Sequence, residues 1–286
     1  MPWMPEVFTA PIAEARRARE AQAEGANDAV PYYEGILADE PDALVRSFAA
    51  RQPVVDDPRV GRVEGTRELR AFVTGTAEWL RQRDAVVENV ALTRTPTRTL
   101  EEVVLNLLAE HGARVEVPVA VVSDRNPDRT VKMIRVYHST WPLTGEHRVR
   151  SPLLPADPNL HAEGTPGVYQ RALAEGDLAG IVATFEPDGY AREPSGAAFF
   201  HRGTEALYEL YGHMFANSGG ITLEHCTLTD DGVRCAIEYN CVRWGDTELP
   251  SQAGVAVYER GGGGLLAAAR IYDDVEPPFV SDTSIG

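Results

Sequence analysis

The spacing of apolar residues in the second half of the chain predicts helices followed by strands. Apolar residues between Val168 and Phe185 recur at the spacing of helices with one buried face. Gly176 and Asp177 interrupt this stretch with a helix stop and an N-cap residue, so we expect two helices there. A third helix is predicted from Gly203 to Tyr211. Segments that alternate or are rich in β-branched residues then predict four strands: Ile221 to Thr229, Val233 to Trp244, Ala253 to Arg260 and Leu265 to Tyr272.

The first half shows the same order of elements. Its predicted strands are Val86 to Thr93, Glu101 to Ala109, Ala113 to Val122 and Thr130 to Tyr137. Three helices followed by an antiparallel meander indicate an α+β unit, in which a curved sheet wraps around helices and encloses a pocket. Five prolines between residues 142 and 166 predict a stiff, extended linker between the two units.

The two halves also repeat individual residues, which indicates a tandem duplication. The matches at a spacing of 136 residues are Tyr33 with Tyr169, Leu37 with Leu173, Asp57-Pro58 with Glu193-Pro194, and Glu88 with Glu224. At a spacing of 135, Arg135 and Tyr137 match Arg270 and Tyr272. This period exceeds the roughly 20–50 residues of solenoid repeats and equals a small domain. Any functional site should therefore be sought twice.

Length and charge narrow the possible functions. The 286 residues suit two domains, which we expect at 31–141 and 167–286, after a leader (1–30) and around a linker (142–166). The net charge of −16 argues against nucleic acid as a partner, because nucleic-acid binding needs basic patches. We find neither a membrane span nor a signal-peptide pattern, so a cytoplasmic protein is expected. Its three cysteines, all in the second half, fit free thiols without a metal.

The segment from Ala172 to Leu207 resembles the NTF2-like superfamily, and within it the branch of ketosteroid isomerases and SnoaL-like cyclases. The resemblance rests on Gly176-Asp177, Phe185, Glu193-Pro194 with Gly196, and Arg202-Gly203. The first half carries it more loosely, with Pro41-Asp42 and Asp57-Pro58. The resemblance implies two tandem NTF2-like cones, packed as a covalent version of a homodimer, with further homodimerisation left open.

The resemblance also implies catalytic residues. In ketosteroid isomerases the carboxylate before the proline moves the proton, and the matching positions here are Glu193 and Asp57. A helix tyrosine there stabilises the enolate, and it matches Tyr169 and Tyr33. The second oxyanion donor of that family falls near Gly254 or Val255, which have no carboxyl group. Loss of one such donor typically lowers the rate about 10²–10³-fold, which argues against dienolate isomerisation.

A second resemblance concerns the glutamates at 88 and 224. In epoxide-opening cyclases and hydrolases of the superfamily, a second carboxyl group follows the first by a similar interval. Asp57 with Glu88 and Glu193 with Glu224 would then divide acid and base roles, because nearby carboxyl groups in an apolar cone take different pKa values. Both glutamates also stand at strand starts, where they could instead face solvent.

Other side chains are candidates for substrate binding. An aromatic wall for a flat ligand could come from Trp79, Tyr190, Phe200 and Trp244, while Glu238 could line the cone and His138 could act as a base at its mouth. Core or surface roles remain the alternative for each. The sequence therefore favours a cofactor-free acid–base enzyme acting on a hydrophobic oxygenated small molecule, most simply a cyclase or isomerase of polyketide-type metabolism. Epoxide opening and ligand binding without chemistry stay open. The second half matches the family better, so we expect the active site there.

Overall fold

The structure is a computed structural model that describes residues 31–38, 42–48, 53–109, 112–128, 130–196 and 199–278. The expected leader, residues 1–30, lies outside the described residues. The elements of the first half are helices α1 (Tyr32–Leu37) and α2 (Asp42–Ser47), strands β1 (Val54–Asp57) and β2 (Gly61–Glu64), helix α3 (Thr66–Gln82), and strands β3 (Val86–Arg94), β4 (Arg98–Leu108), β5 (Arg114–Arg125) and β6 (Val131–Tyr137).

The second half repeats this order after a short connecting helix. Its elements are α4 (Trp141–Thr144) in the linker, α5 (Gly164–Glu175), α6 (Leu178–Val182), strands β7 (Phe185–Arg192) and β8 (Phe200–Arg202), helix α7 (Gly203–Met214), and strands β9 (Ile221–Asp230), β10 (Arg234–Trp244), β11 (Thr247–Arg260) and β12 (Leu266–Tyr272). The predicted break between two helices is confirmed: Gly176 ends α5 with φ +71°, and the Asp177 carboxylate caps α6 by accepting the Gly180 N–H. Phe185, predicted as helical, begins a strand instead.

Each half contains one six-stranded sheet, and the two sheets have the same topology. The strand orders are β2-β1-β6-β5-β4-β3 and β8-β7-β12-β11-β10-β9. The α+β class and the two cones are confirmed, but the sheets are mixed and not wholly antiparallel. In each sheet one pair is parallel, β1 with β6 and β7 with β12. These partners are separated by a helix and several strands, so no hairpin turn imposes the antiparallel direction on them.

The helices of each half pack on the inner face of their own sheet. In the first half, Tyr33, Leu80 and Val119 belong to one buried apolar cluster. In the second half, Tyr169, Leu207 and Tyr258 belong to a separate one. Because side chains alternate along a strand, the residues between these inner positions face outward, and there the two sheets meet. A third buried cluster, which includes Leu100, Val122, Ala236 and Val257, combines outer-face residues of both sheets.

Two buried ion pairs cross this seam between the sheets. Arg135 of β6 donates to both carboxylate oxygens of Glu238 at 2.6 and 2.8 Å, and the Tyr137 hydroxyl donates to the same carboxylate. Arg270 of β12 binds Glu102 of β4 in the same way, at 2.5 and 2.9 Å, and Tyr272 also donates to Glu102. The repeated pairs Arg135 with Tyr137 and Arg270 with Tyr272, found in the sequence, therefore form the polar contacts at the seam between the halves.

The position of Glu238 corrects one prediction from the sequence. Glu238 does not line a cone, because its neighbours Ile237 and Tyr239 occupy the inner face of β10 and leave the outer face to Glu238. The carboxylate is buried by the first half. Burial alone would raise the pKa of the equivalent Glu102, but Arg270 and the Tyr272 hydroxyl hold that pKa below its ordinary value.

The linker follows the surface of the second half. Its backbone is fixed at Arg150, whose carbonyl accepts the Ala253 N–H, and at Asp157, whose N–H donates to the His225 carbonyl. Asp274 holds the start of the linker by accepting the backbone N–H groups of Thr140 and Arg148. Within the described residues, no helix is both long enough and apolar enough to span a membrane.

Candidate active site

A small cavity lies inside the first cone, and four residues predicted from the sequence line it. Those four are Tyr33 of α1, Asp57 at the end of β1, Trp79 of α3, and His138 just after β6; Arg59, Thr76, Leu80, Leu105, Leu107, Val117 and Leu143 complete the lining. Its volume, about 10 Å³, is that of one water molecule. Polar groups from four separate segments thus converge on one point of an otherwise apolar interior.

Asp57 is buried, and only one of its carboxylate oxygens is anchored. Its Oδ1 accepts the backbone N–H groups of Arg59 at 2.9 Å and Val60 at 3.3 Å. The Arg59 guanidinium lies 3.7 Å from the same oxygen and donates to Thr76. Pro58 and the turn that follows therefore fix the carboxylate by local geometry. Oδ2, to which no described residue donates, is the oxygen left for a ligand.

Arg59 also organises the mouth of this site. Its guanidinium stacks on the Trp79 ring at 4.2 Å, and Arg83 lies 4.5 Å from the same ring. The Arg59 guanidinium is thus held in place by the aromatic face of Trp79 as well as by the Asp57 carboxylate. Sequence reasoning missed Arg59 and Thr76. Their signal was weak, because an arginine after an acidic-Pro pair is equally common at a surface.

His138 is a buried, neutral base. Its Nδ1 lies 3.0 Å from the Ser139 carbonyl, which can only accept, so Nδ1 carries the proton and Nε2 carries the lone pair. Burial lowers the pKa of His138, and the nearby Asp57 charge opposes that shift only in part. The imidazole is therefore available to accept a proton at neutral pH.

The Tyr33 hydroxyl completes the polar lining. Burial raises the pKa of Tyr33 far above its ordinary value, and the negative charge of Asp57 raises it further. The phenol therefore stays protonated at any accessible pH, which suits a hydrogen-bond donor and excludes a base. Among the described residues, none forms a hydrogen bond with this hydroxyl.

The interior of the second cone differs, because four buried tyrosines fill it. The hydroxyl groups of Tyr169 and Tyr211 lie 2.8 Å apart, and Tyr258 accepts a hydrogen bond from Gln170. Burial raises the pKa of Tyr169 to about 12, although the Tyr211 hydrogen bond opposes this shift. The ring of Tyr239 lies against Gly254, where an added Cβ would stand 2.6 Å from the ring. Tyrosine side chains thus occupy the volume that a ligand would need.

Asp273 is a half-buried carboxyl group at the second cone, and the sequence patterns did not single it out. It follows β12 at the position equivalent to His138. The Tyr239 hydroxyl donates to its Oδ2 at 2.6 Å. Burial raises the pKa of Asp273 to about 6, and this hydrogen bond limits the shift. The Asp273 side chain is held by Tyr239, which lies opposite Gly254 on the neighbouring strand. The apolar pattern of one strand does not show such a pairing.

Glu193 lies at the edge of the second cone and not deep inside it. Its carboxylate is half-buried and accepts a hydrogen bond from His201 Nε2 at 2.8 Å. Its negative charge contributes to raising the pKa of Tyr211, so the two residues are near each other. The equivalent Asp57 is buried and bound by backbone N–H groups. The two matching carboxylates therefore have different surroundings.

Glu88 and Glu224 do not reach either cone. Both side chains are exposed. Glu88 stands opposite Val104 on β4, and Glu224 stands opposite Asn240 on β10. Cross-strand partners point to the same face, and in both cases that is the outer face. The predicted carboxylate pairs are therefore not brought together, because the period of the strands turns the second member of each pair outward.

The predicted aromatic wall is also dispersed. Tyr190 and Phe200 stack on each other at 4.5 Å on the edge strands β7 and β8, and Tyr190 accepts a hydrogen bond from Arg270 at the seam. Trp244 is buried in the second core, and its indole N–H donates to the Met214 carbonyl. Trp79 alone of the four predicted aromatic residues lines the first-cone cavity.

A second, larger cavity of about 70 Å³ lies where the two halves meet the linker. Its walls include Tyr137 and His138 from the first half, Asp273 and Asp274 from the second, and Arg150 from the linker. His138 therefore lines both cavities. His138 and Asp273, the equivalent residues after the last strand of each half, therefore line the same cavity.

Curved six-stranded sheets that each enclose helices are typical of the NTF2-like class of fold. Residues 168–268 match the family model described as "SnoaL-like domain". The resemblance predicted from the sequence is thus confirmed for this half. No curated protein matches the chain.

Solved structures with similar folds each cover about two fifths of the chain. An uncharacterised cystatin-fold protein from Novosphingobium aromaticivorans is 15% identical over 38% of this chain and 98% of its own, with a TM-score of 0.34. A ketosteroid-isomerase-like protein from Catenulispora acidiphila, in complex with trimethylamine, is 16% identical over 39% and 84%, with a TM-score of 0.33. The epoxide hydrolase/cyclase-like enzyme SalBIII is 17% identical over 42% and 89%, with a TM-score of 0.31.

Proposed function

We propose that this protein is a cofactor-free acid–base enzyme whose active site is the first cone. The observation that carries the proposal is the meeting of Tyr33, Asp57 and His138 around one buried cavity. The substrate class we propose is a hydrophobic oxygenated small molecule, and the reaction is ring formation or isomerisation of a polyketide-type metabolite. This choice moves the active site from the second half, where the closer family resemblance placed it, to the first.

Each of the three residues has one role in this proposal. Asp57 removes a proton from carbon through the Oδ2 oxygen and returns it to the product, while Oδ1 stays bound to two backbone N–H groups. Tyr33 donates a hydrogen bond to the oxygen that becomes negative, and such preorganised donors typically contribute about 10²–10³ in rate. His138 Nε2 accepts or returns the second proton, because burial keeps the imidazole neutral.

A substrate needs more space than the closed cavity offers. Leu143 lines the cavity from the linker helix α4, and α4 has no fully buried residue. Moving α4 therefore breaks fewer core contacts than moving β4 or β5. We propose that the ligand enters by displacing Leu143.

The test measures proton transfer without knowledge of the natural substrate. Cyclohexanone is incubated with the protein in D₂O, and exchange of its α-protons is followed by NMR. We expect the unchanged protein to catalyse the exchange. In Asp57→Asn the rate should fall about 10²–10³-fold, because the variant lacks the positioned base. Exchange that is equally fast in Asp57→Asn would contradict the proposal.

The alternative is a small-molecule-binding protein without chemistry. The tyrosines that fill the second cone support it, because one copy of the duplicated fold then lacks the space for a catalysed reaction. In that case Asp57→Asn binds ligands as well as the unchanged protein does, and neither exchanges protons faster than buffer. Epoxide opening by carboxylate pairs loses its support from Glu88 and Glu224, which are exposed.

A further inference from the structure

Two adjacent glutamates on β4 point in opposite directions. Glu102 faces the seam and is bound by Arg270. Glu101 therefore faces the interior of the first cone, on the same side as Val103 and Leu105. The function proposed above does not use this side chain.

Glu101 lacks the partners that a buried carboxyl group normally has. Its Oε2 accepts the backbone N–H of Tyr32 at 2.9 Å, but its buried Oε1 has no hydrogen-bond partner among the described residues. No described arginine or lysine forms an ion pair with it. The hydroxyl of Tyr32 is also buried with no partner in the part of the chain that the structure describes, and its ring packs edge-on against Tyr33. Tyr32 and Glu101 thus extend the polar groups of the first cone beyond the small cavity, whose lining on β4 begins at Leu105.

The second half shows that the fold does not need a carboxyl group at this position. Ile237 is the equivalent residue, since Glu101 pairs with Leu92 and Val121 while Ile237 pairs with Leu228 and Ala256. Ile237 is fully buried in the second core. A buried polar group without a partner destabilises a fold, so Glu101 is unfavourable for packing where isoleucine is favourable.

We propose that Glu101 and Tyr32 form a second polar subsite in the first cone, which binds a neutral hydroxyl or carbonyl oxygen of the ligand. This inference rests on the proposed function, because it assigns the same cone as the ligand site. Tyr32 supplies an O–H donor to the ligand oxygen. Glu101 supplies a donor when protonated and an acceptor for a ligand hydroxyl. An anionic ligand is disfavoured here, because the negative charge of Asp57 acts on Tyr32 more strongly than the opposing positive charge of Arg59.

The ionisation of Glu101 agrees with a neutral ligand. Burial raises the pKa of Glu101 to about 7, and the Tyr32 N–H opposes this shift. The carboxyl group is therefore protonated in much of the protein at neutral pH and can donate to an oxygen. The charge of Glu34 acts in the same direction as burial.

The experiment compares two probes of similar size, cyclohexanol and methylcyclohexane. Their affinities for the full chain are measured by NMR titration of the methyl groups of Val103 and Leu105. We expect the ratio of the two affinities to shift at least tenfold toward methylcyclohexane in Glu101→Ile, because the probe hydroxyl loses its partner. Tyr32→Phe should shift the ratio in the same direction. Glu116→Gln, which changes an exposed glutamate of the same half, is the matched control and should leave the ratio unchanged.

The outcomes separate this subsite from the proposed function. Asp57→Asn should lower proton exchange about 10²–10³-fold and leave the affinity ratio intact. A changed ratio in Glu101→Ile without any catalysed exchange in the unchanged protein would refute the enzyme and keep the subsite. An unchanged ratio in both Glu101→Ile and Tyr32→Phe, or no cyclohexanol binding at all, would overturn the subsite even if exchange is catalysed. Glu101→Ile should also be at least as stable as the unchanged protein, which confirms that lost binding is not lost folding.

Discussion

The two cones have similar outer faces and different interiors. Strand order and the crossed ion pairs at the seam are the same in both halves. Inside, the first cone contains Asp57, His138 and Glu101, whereas the second contains four hydroxyl-bearing rings and one half-buried acid, Asp273. The difference teaches that a duplicated fold is constrained where the copies touch, because a change there must suit both of them. An interior touches no other copy and can change alone.

The first prediction tests the shared part, and its expected effect is the largest. Glu102→Gln removes the fully buried counter-charge of Arg270 and leaves it only the more exposed Glu259. Glu238→Gln likewise leaves Arg135 only the more exposed Asp124. Breaking a buried pair from one side costs about 3–5 kcal/mol. We expect both variants to lose this much free energy of unfolding, measured by chemical denaturation, and to lose similar amounts. A large loss in one variant with none in the other would mean that the seam is not symmetric.

The second prediction tests the difference between the interiors. Asp57→Asn should lower proton exchange about 10²–10³-fold, whereas Glu193→Gln should leave it within a factor of about three, since Glu193 is bound to His201 at the edge of a filled cone. The measurement is the exchange of cyclohexanone α-protons followed by NMR. If Glu193→Gln proves to be the damaging variant, the active site lies in the second half.

The third prediction concerns the half-buried acid of the second cone and its dependence on pH. The pKa of Asp273 in the folded protein, about 6, lies above the ordinary value of 3.8. Stability from this residue is therefore complete below pH 4 and is lost as the pH rises through 6. Tyr239→Phe removes the hydrogen bond that limits the shift, so this loss should grow by about 1–2 kcal/mol.

Unfolding by denaturant at pH 4.5 and pH 8 checks that prediction. The destabilisation caused by Tyr239→Phe should be larger at pH 8, where ionised Asp273 lacks its donor. Asp273→Asn is the control, since its stability should change less between the two values of pH. An equal effect of Tyr239→Phe at both values would show that Asp273 does not titrate in this range.

The smallest effects are expected at the two exposed glutamates. Glu88→Gln and Glu224→Gln should each change the free energy of unfolding by less than about 0.5 kcal/mol, as is usual for surface positions. Proton exchange should be unchanged in both. A tenfold loss of exchange in either variant would return that glutamate to the catalytic machinery and contradict its outward orientation.

The sequence predicts much of the fold, because both the duplication and the strand periodicity can be recognised from the residue types at individual positions. Matched positions such as Tyr33 with Tyr169 located the repeat, and alternation located eight strands. The short strands β1, β2, β7 and β8 were not predicted, because segments of three to eight residues with acidic residues or proline carry little periodic signal. The parallel pairing of β1 with β6 depends on contacts between distant segments.

The candidate site was predicted in part, and the errors have one cause. Tyr33, Asp57, Trp79 and His138 were found by matching positions, and they do line one cavity. Glu88 and Glu238 were misplaced because equal spacing along the chain does not fix the face of a strand. The neighbouring pair Glu101 and Glu102 carried a usable signal, since one of two adjacent strand residues must face inward. Which one does so depends on Arg270, which lies 168 residues away.

The linker makes the association of the two sheets a first-order, intramolecular process. Separate copies would meet by a second-order encounter, so their association would weaken on dilution. A tether of this length holds its partners at an effective concentration in the millimolar range, whatever the concentration of the protein. Every first cone therefore has one second cone as its neighbour, in fixed proportion. The second can consequently serve as scaffold alone, a division of labour that identical subunits encoded by one gene cannot reach.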